Sequence, residues 1–461
     1  MPANTITELK ELFQRAESFR KAKQFPQAIN AYIQLISHAP RHWPAYYKMG
    51  VLLNEIGRKE AAIVAVQRAV DLAPDNASIY ITLGVYLKNM GKRKESMNAF
   101  NKALSLEPNN IYALFNKGEQ LLRMNESKQA LMYFDTILRG DKDAENIKAI
   151  SQWLRAVARL TLGDYQNAWE DYESRIHHPT TTFPELIGEK WIGQPMEGKT
   201  IFLAYEQRFG DVIQFSRFIP KLVELGAKVI LQTPQELMRL FRSLGYSIQL
   251  IEYKEPLPEY DYCQLVTSIP AILNYSKEEV GISNYLDVDI TQERPELPMR
   301  KGTRHKVGLI WSGKPTPNRS IPLTYYTPLL RHRNVSFYSF QLGDAKNEIK
   351  ALAVDWLIHD LSPQINDFYD SSLFMKEMDL IITIDTAAAH QAGALGVPVW
   401  LMLIYYSDWR WGNAGDETTA WYPSMRIFRQ TEYESWDGAA NQLYTAFAER
   451  FTDSIMGKDE N

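Results

Sequence analysis

Three short clusters along the chain hold side chains suited to moving protons and holding phosphate. Glu206-Gln207-Arg208-Phe209-Gly210-Asp211 lies between the apolar run Thr200 to Tyr205 and an apolar-periodic stretch from Asp211 to Leu225. The spacing predicts a strand, a turn at Gly210 and a helix ending at Gly226, which puts the cluster at the carboxyl end of a strand, where α/β folds place ligands. Asp211 there is either a general base or a cap whose carboxylate accepts helix N–H bonds, and Glu206 is a second candidate base. The glycine spacing is not G-x-G-x-x-G, so no dinucleotide cofactor is indicated. Lys314-Pro-Thr-Pro-Asn-Arg-Ser-Ile-Pro-Leu323 is a polar loop directly after the apolar strand Val307 to Trp311. Its cations Lys314 and Arg319 either neutralise charge on a departing phosphate, in place of a metal ion, or belong to a solvated basic turn. Asp385-Thr386-Ala387-Ala388-Ala389-His390 lies between the strand Asp379 to Ile384 and a small-residue helix, Ala387 to Leu395, closed by Gly396. Thr386 is expected to cap that helix, whose N–H groups suit a diphosphate, with His390 one turn in and pointing back toward it. A capped, buried helix with a satisfied histidine is the plainer alternative.

Strands and helices must present these groups. Ala227 to Gln232 and Ser247 to Glu252 read as strands around a helix from Gln235 to Leu244, which makes parallel βαβ units and one Rossmann-like half. A polar stretch from Thr291 to Lys306 separates it from a second series with strands Val307 to Trp311, Phe337 to Leu342, Asp379 to Ile384 and Val399 to Leu403. Two Rossmann-like domains facing each other across a cleft are therefore expected. Asp287-Val288-Asp289 matches the D-x-D pattern by which many sugar transferases hold a divalent metal, but it precedes the linker instead of ending a strand. His177 and His178 are adjacent and cannot easily share one tetrahedral ion. No metal is expected.

Composition narrows the partners. With 51 Lys+Arg against 55 Asp+Glu the net charge is -4, which gives no general electrostatic attraction to nucleic acid or anionic lipid. Hydrophobic residues at 45% and charged residues at 23% are near the globular average and exclude a disordered or coiled-coil chain. Cys263 is the single cysteine, so an internal disulfide and a thiolate metal cluster are excluded and a reducing compartment is expected. Met1 to Arg20 lacks the basic-then-apolar layout of a signal peptide, which adds to a cytoplasmic expectation. The most apolar stretch, Ala387 to Tyr406, contains His390, Gln391, Gly393, Gly396 and Pro398, so helix, turn and strand fit it better than a membrane span.

The first third repeats. Pro40, Pro74 and Pro108 recur in step with Gly50, Gly84 and Gly118, at the 34-residue period of the tetratricopeptide repeat. Ala28, Ala62, Ser96 and Ala130 hold a third phase, and Tyr32, Val66, Phe100 and Phe134 a fourth. Gly and Ala let paired helices approach closely, the large residue fills the gap, and Pro ends the second helix. An irregular last unit with Ala156, Gly163, Ala168 and Tyr172 makes about five repeats to Arg175. This part carries 24 Lys+Arg and 19 Asp+Glu, net +5, against -9 for the rest; it is either a groove for an acidic or extended partner or a set of solvated faces.

Trp191-Ile-Gly-Gln-Pro195, Gly198-Lys-Thr-Ile201, Gly210-Asp-Val-Ile-Gln-Phe215, Asn318-Arg-Ser-Ile-Pro-Leu323, Ile384-Asp-Thr-Ala-Ala-Ala-His390, Ala392-Gly-Ala-Leu-Gly-Val-Pro-Val399, Asp408-Trp-Arg-Trp411 and Trp421-Tyr-Pro423 follow that array in order. Together they resemble the bacterial tetratricopeptide-repeat glycosyltransferases related to the heptosyltransferases, glycosyltransferase family nine. The resemblance implies an α + α/β chain: a repeat α-solenoid over 1–175, a connector over 176–198, and a GT-B module. The module would comprise an acceptor-side Rossmann-like domain over 199–300 and a nucleotide-sugar-binding one over 301–461 with a C-terminal helix. It implies inverting transfer, without metal or cofactor, from a nucleotide-activated sugar to an acceptor hydroxyl. Asp211 would be the base; Arg319, at a position that is Lys in heptosyltransferases, would stabilise the leaving phosphate together with Lys314. Asp385, Thr386, Ala387, His390 and Ser312 would hold the donor. Glu206, Gln207, Arg208, Gln214, Asp408, Trp409 and Arg410 would line the substrate cleft, although packing serves the tryptophans equally well. Arg208 departs from the pattern, standing where relatives have the first glycine of Glu-Gln-Gly-x-Gly-Asp. The acceptor implied is a polypeptide Ser or Thr, flagellin by analogy only. The alternatives are a non-catalytic repeat scaffold with a degenerate module, and a transferase acting on a lipid-linked glycan.

Overall fold

The computed structural model describes residues 3–140, 144–177, 182–206, 208–244, 246–291, 297–313 and 319–452. The chain forms two compact units, Met1–Arg155 and Ala156–Asn461.

The first unit is a solenoid of helix pairs: α1 (Ala3–Lys21) and α2 (Phe25–His38), α3 (Trp43–Glu55) and α4 (Lys59–Leu72), α5 (Ala77–Asn89) and α6 (Arg93–Leu106), α7 (Ile111–Arg123) and α8 (Ser127–Arg139). The four phases of the sequence are its packing. A Cβ on Gly50, Gly84 or Gly118 would come within 2.6, 2.4 and 2.8 Å of Val66, Phe100 and Phe134, so only glycine lets those side chains seat between paired helices. Ala28, Ala62 and Ala130 are fully buried, and Ser96, which replaces alanine in that phase, donates its buried hydroxyl to the Gly84 carbonyl at 2.8 Å. Each second helix stops two residues before Pro40, Pro74 or Pro108. Two further phases went unread. His42, Asn76 and Asn110 cap α3, α5 and α7 by accepting first-turn N–H bonds. Lys23, Gly57, Gly91 and Asn125 turn the chain between paired helices with positive φ.

The repeat count needs a correction. α9 (Glu145–Leu162) begins a fifth repeat, but its partner is only α10 (Trp169–Tyr172) and a 3-10 turn, Glu173–His177. The unit boundary falls inside α9, ahead of the Arg175 limit expected from the repeat phase. The reason is aromatic. Tyr165, Trp169 and Tyr172 pack around Trp409, with ring centroids 6.4, 6.4 and 5.8 Å away, and Trp169 donates its indole N–H to the Tyr275 carbonyl.

The second unit is α/β with two all-parallel sheets. The first, in order β3-β2-β1-β4, comprises β1 (Thr200–Ala204), β2 (Lys228–Thr233), β3 (Gln249–Glu252) and β4 (Tyr262–Leu265). α11 (Phe209–Phe215) and α12 (Ile219–Glu224), separated by a 3-10 turn, replace the single helix expected from Asp211 to Leu225; α13 (Gln235–Arg242) and α14 (Ile269–Ile272) complete this half. The expected connector is partly a sheet element, because Lys190 bridges to Cys263 on β4 and Trp191 is buried beside it.

The second sheet runs β10-β9-β8-β5-β6-β7, with β5 (His305–Leu309), β6 (Val335–Ser339), β7 (Ile358–Asp360), β8 (Leu380–Ile384), β9 (Val399–Leu403) and β10 (Met425–Arg429). α15 (Glu348–Ala351), α16 (Phe368–Lys376), α17 (Ala387–Ala394) and α18 (Asp437–Arg450) flank it. Trp311, Phe337, Ile382, Met402 and Phe447 form its core. Gly396 ends α17 with φ +71 as its position predicts, and the stretch from Ala387 to Tyr406 is helix, turn and strand. Among the described residues no helix is long and apolar enough to cross a membrane.

Candidate functional site

An open parallel sheet has a crevice where its strand order reverses, outside the carboxyl ends of the strands. In the second sheet that point lies between β5 and β8, and the loops leaving those strands carry two of the three clusters. Gln341 shapes the first loop, accepting from the Trp311 and Ser312 N–H groups and donating to the Ser312 carbonyl. Ser312 Oγ lies 3.0 Å from Ser320 Oγ, and Arg319 reaches across, donating to the Asp385 carbonyl at 3.3 Å with its Nη1 3.6 Å from the Asp385 carboxylate. Burial pushes the Asp385 carboxyl up, against the pull of Arg319. Lys314 lies outside the described residues.

Thr386 occupies the cap position of α17 but does not cap it. Its hydroxyl turns back to the Ile384 carbonyl, so Thr386 leaves the first-turn N–H groups of α17 uncapped. A Cβ on Gly313 would sit 3.1 Å from the Thr386 methyl, which shows how closely the two loops approach.

The third cluster needs more correction. Gly210 is not in a turn; it lies in the first turn of α11, and the cap position belongs to Arg208, which makes no capping bond. Asp211 is therefore not a helix cap. Its carboxylate accepts from Arg410 Nη2 at 2.8 Å. Glu206 is 5% exposed, paired with Arg175 at 3.3 Å, and pushed up by burial against that pairing. A carboxylate so enclosed is poorly placed to meet a substrate. Arg208 is exposed with φ -128, an extended conformation open to any residue, so the missing family glycine costs the backbone nothing. Gln207 lies outside the described residues.

Helix α11 packs on α17 through Gly210. A Cβ there would come within 2.8 Å of His390 Cδ2. The His390 ring packs on Trp411, 5.0 Å between centroids, and its Nδ1 is 2.9 Å from the Tyr422 hydroxyl. Burial, then the nearby Arg410, pushes its imidazole down to about 3. It offers a phosphate a hydrogen bond at most, and no charge at ordinary pH. The unfolded chain takes up this proton below about pH 6.5 and the folded chain does not. Stability is therefore full above that value and falls as the pH drops toward 3, by up to ~1.4 kcal/mol per pH unit from this group. His390→Gln is expected to flatten the fall in melting temperature between pH ~6.5 and ~4; an unaltered profile would assign that titration elsewhere.

The segment after β9 closes the site. Asp408 caps the 3-10 turn Trp409–Trp411 and pairs with Arg410 at 2.9 Å; burial works against its charge, but Arg410 holds its carboxyl below the usual range. Trp409 is buried among aromatic rings, so packing is its role. Gln214 is buried, and its side-chain oxygen accepts from Arg410 Nε.

Three buried cations were not foreseen. Arg175 fills the reversal point of the first sheet, donating to Thr267 and Ser268 after β4 and to Glu206 after β1. Arg217 joins the halves through the Val280 and Trp421 carbonyls, at 2.7 and 2.6 Å. Arg429 donates to Ser407 and the Trp411 carbonyl, and burial pushes it down to about 10. Asp287 of the D-x-D sequence pairs with Lys376. Among the described residues no three His, Cys, Asp or Glu side chains gather as a metal site requires.

Compared with known proteins, the chain matches the tetratricopeptide repeat over residues 13–77, 77–110 and 99–132. Its N-terminal region consists of such repeats. Protein FlbA of Caulobacter vibrioides is 28% identical over 330 residues, covering 65% of this chain and 55% of FlbA, so the chain spans about half the length of that relative. Among solved structures it is similar to MamA (19% identity, TM-score 0.33, 35% of this chain and 92% of MamA). It is also similar to YrrB, described as a TPR protein with an unusual peptide-binding site (17%, 0.33, 38% and 93%), and to PilF of Pseudomonas aeruginosa (18%, 0.33, 37% and 76%).

Proposed function

We propose that residues 156–461 are a GT-B glycosyltransferase module. It moves a sugar from a nucleotide-activated donor to a hydroxyl with inversion and without a metal. The observation that carries this reading is the packing of α11 on α17, where the Asp211 carboxylate and the Arg319–Asp385 pair are linked through the charges of Asp408 and Arg410. In this reading the donor diphosphate or monophosphate lies against the uncapped start of α17. The acceptor oxygen attacks the anomeric carbon as its proton passes to Asp211. The bond to phosphate breaks, its electron pair stays on the leaving oxygen, and Arg319 offsets the new charge. The acceptor is a polypeptide Ser or Thr presented by the repeats, an assignment that follows the family resemblance.

A silent module serving as a scaffold is the second reading, favoured by the engagement of Asp211 with Arg410. Thermal shifts with UDP, GDP, ADP, CMP and their sugars separate the two, since ~100 times the dissociation constant stabilises by roughly 2.7 kcal/mol. The expected result is a shift with one nucleotide that Arg319→Ala abolishes. No shift with any of them would favour the scaffold.

A further inference from the structure

We infer that Arg410 is a positioning residue that holds Asp211 from across the crevice, so that the base is aimed only while the two sheets are docked. This rests on the transferase reading. Asp211 is carried by α11 behind β1 of the first sheet; Arg410 belongs to the turn after β9 of the second. The guanidinium is spent in three directions: Nη2 to Asp211 at 2.8 Å, Nη1 to Asp408 at 2.9 Å, and Nε to the Gln214 side-chain oxygen. It lies over the Trp409 and Phe215 rings at 4.7 and 5.6 Å, and its side chain is 10% exposed. Those partners fix the guanidinium in one pose at the substrate cleft where the resemblance places it.

Its backbone is fixed as well. Thr419 donates to the Arg410 carbonyl at 2.8 Å, and Arg429 to the Trp411 carbonyl at 2.9 Å. The Asp211 contact uses Oδ1; no described residue bonds Oδ2, and the side chain is 18% exposed. One oxygen is thus anchored, and no described residue holds the other. Asp408 gives the arrangement its second function: when Asp211 takes up a proton, Arg410 keeps a carboxylate partner and the fork stays in place. A planar fork does this where an ammonium would not.

The test uses the full chain and the nucleotide sugar selected by the thermal-shift panel. Arg410→Gln is expected to lower kcat ~100-fold, the usual loss when a reacting group is misplaced by about 1 Å. KM for the donor should stay within ~3-fold, since ground-state binding is untouched. The Asp211→Asn/Arg410→Gln double variant should be no slower than Asp211→Asn alone, because Arg410 acts through Asp211. Losses that multiply, or a rise in KM with kcat kept, overturn the inference. Asp408→Asn, which leaves both Asp211 and Arg410 intact, is a second variant with the same split and a smaller loss, ~10-fold. The melting temperatures of Asp211→Ala, Arg410→Gln and their double variant need no donor: shifts smaller together than in sum support the pair, and strictly additive shifts overturn it. A wild-type chain that turns over no nucleotide sugar instead defeats the proposed function, and the melting cycle still decides whether the pair couples the two sheets.

Discussion

The Asp211→Asn protein is expected to bind its nucleotide sugar as the native chain does and to transfer the sugar at least ~100-fold more slowly. That loss corresponds to ~2.7 kcal/mol of transition-state stabilisation. Asparagine is the informative replacement because its side-chain oxygen still accepts the Arg410 bond that Asp211 Oδ1 accepts at 2.8 Å, while its amide takes no proton. Alanine would remove the acceptor of the buried Arg410 Nη2 as well, and confuse catalysis with stability. Turnover at a fixed donor concentration, with binding measured separately, separates the two. Near-normal transfer would remove Asp211 as the base, and Glu206 is no ready substitute while Arg175 holds it.

Arg175→Met is expected to cost about 3–5 kcal/mol of stability in urea unfolding, the range found when one partner of a buried ion pair is deleted. The change strips Glu206 of its cation and leaves the Thr267 and Ser268 hydroxyls without their donor. Adding Glu206→Gln should recover most of the loss, since it is the uncompensated charge that destabilises. The pH dependence has a definite sign. Burial already pushes the Glu206 carboxyl up against Arg175's pull, and losing the arginine pushes it further. A raised carboxylate favours the folded chain at low pH and loses that favour as the pH rises. The variant's deficit should therefore be larger at pH ~8 than at pH ~5; a deficit independent of pH would mean that packing against Tyr172, 4.4 Å away, was the main loss.

The repeats were legible because the Pro, Gly, Ala and large-residue phases of the 34-residue period are steric requirements. Gly50, Gly84 and Gly118 cannot be larger, so sequence position and packing coincide. Apolar runs exposed the central strands of both sheets for the same reason, since a parallel strand covered on both faces has no polar alternation. The edges of the second sheet were not visible: β7 is Ile-His-Asp, and Met-Arg-Ile-Phe-Arg of β10 carries two arginines. Asp211, Arg319 and Asp385 were singled out by their place at strand ends, whereas the buried Arg175, Arg217 and Arg429 were not. An arginine reads as surface until its partners are known, and those of Arg217 include Trp421, 204 positions along the chain. The partners of Arg410 were hidden in the same way, since Gln214 and Asp211 lie 196 and 199 positions from it along the chain.

The aromatic seat formed by Tyr165, Trp169 and Tyr172 around Trp409 bears on how such a chain can be recombined. A gene fusion that exchanged one repeat array for another at Arg175 would carry those three rings away with the outgoing array. Trp409 and Trp421 would then be left uncovered, and so would Glu206, which Arg175 neutralises. A splice that keeps those contacts lies upstream of α9, so the last half-repeat has to travel with the α/β unit.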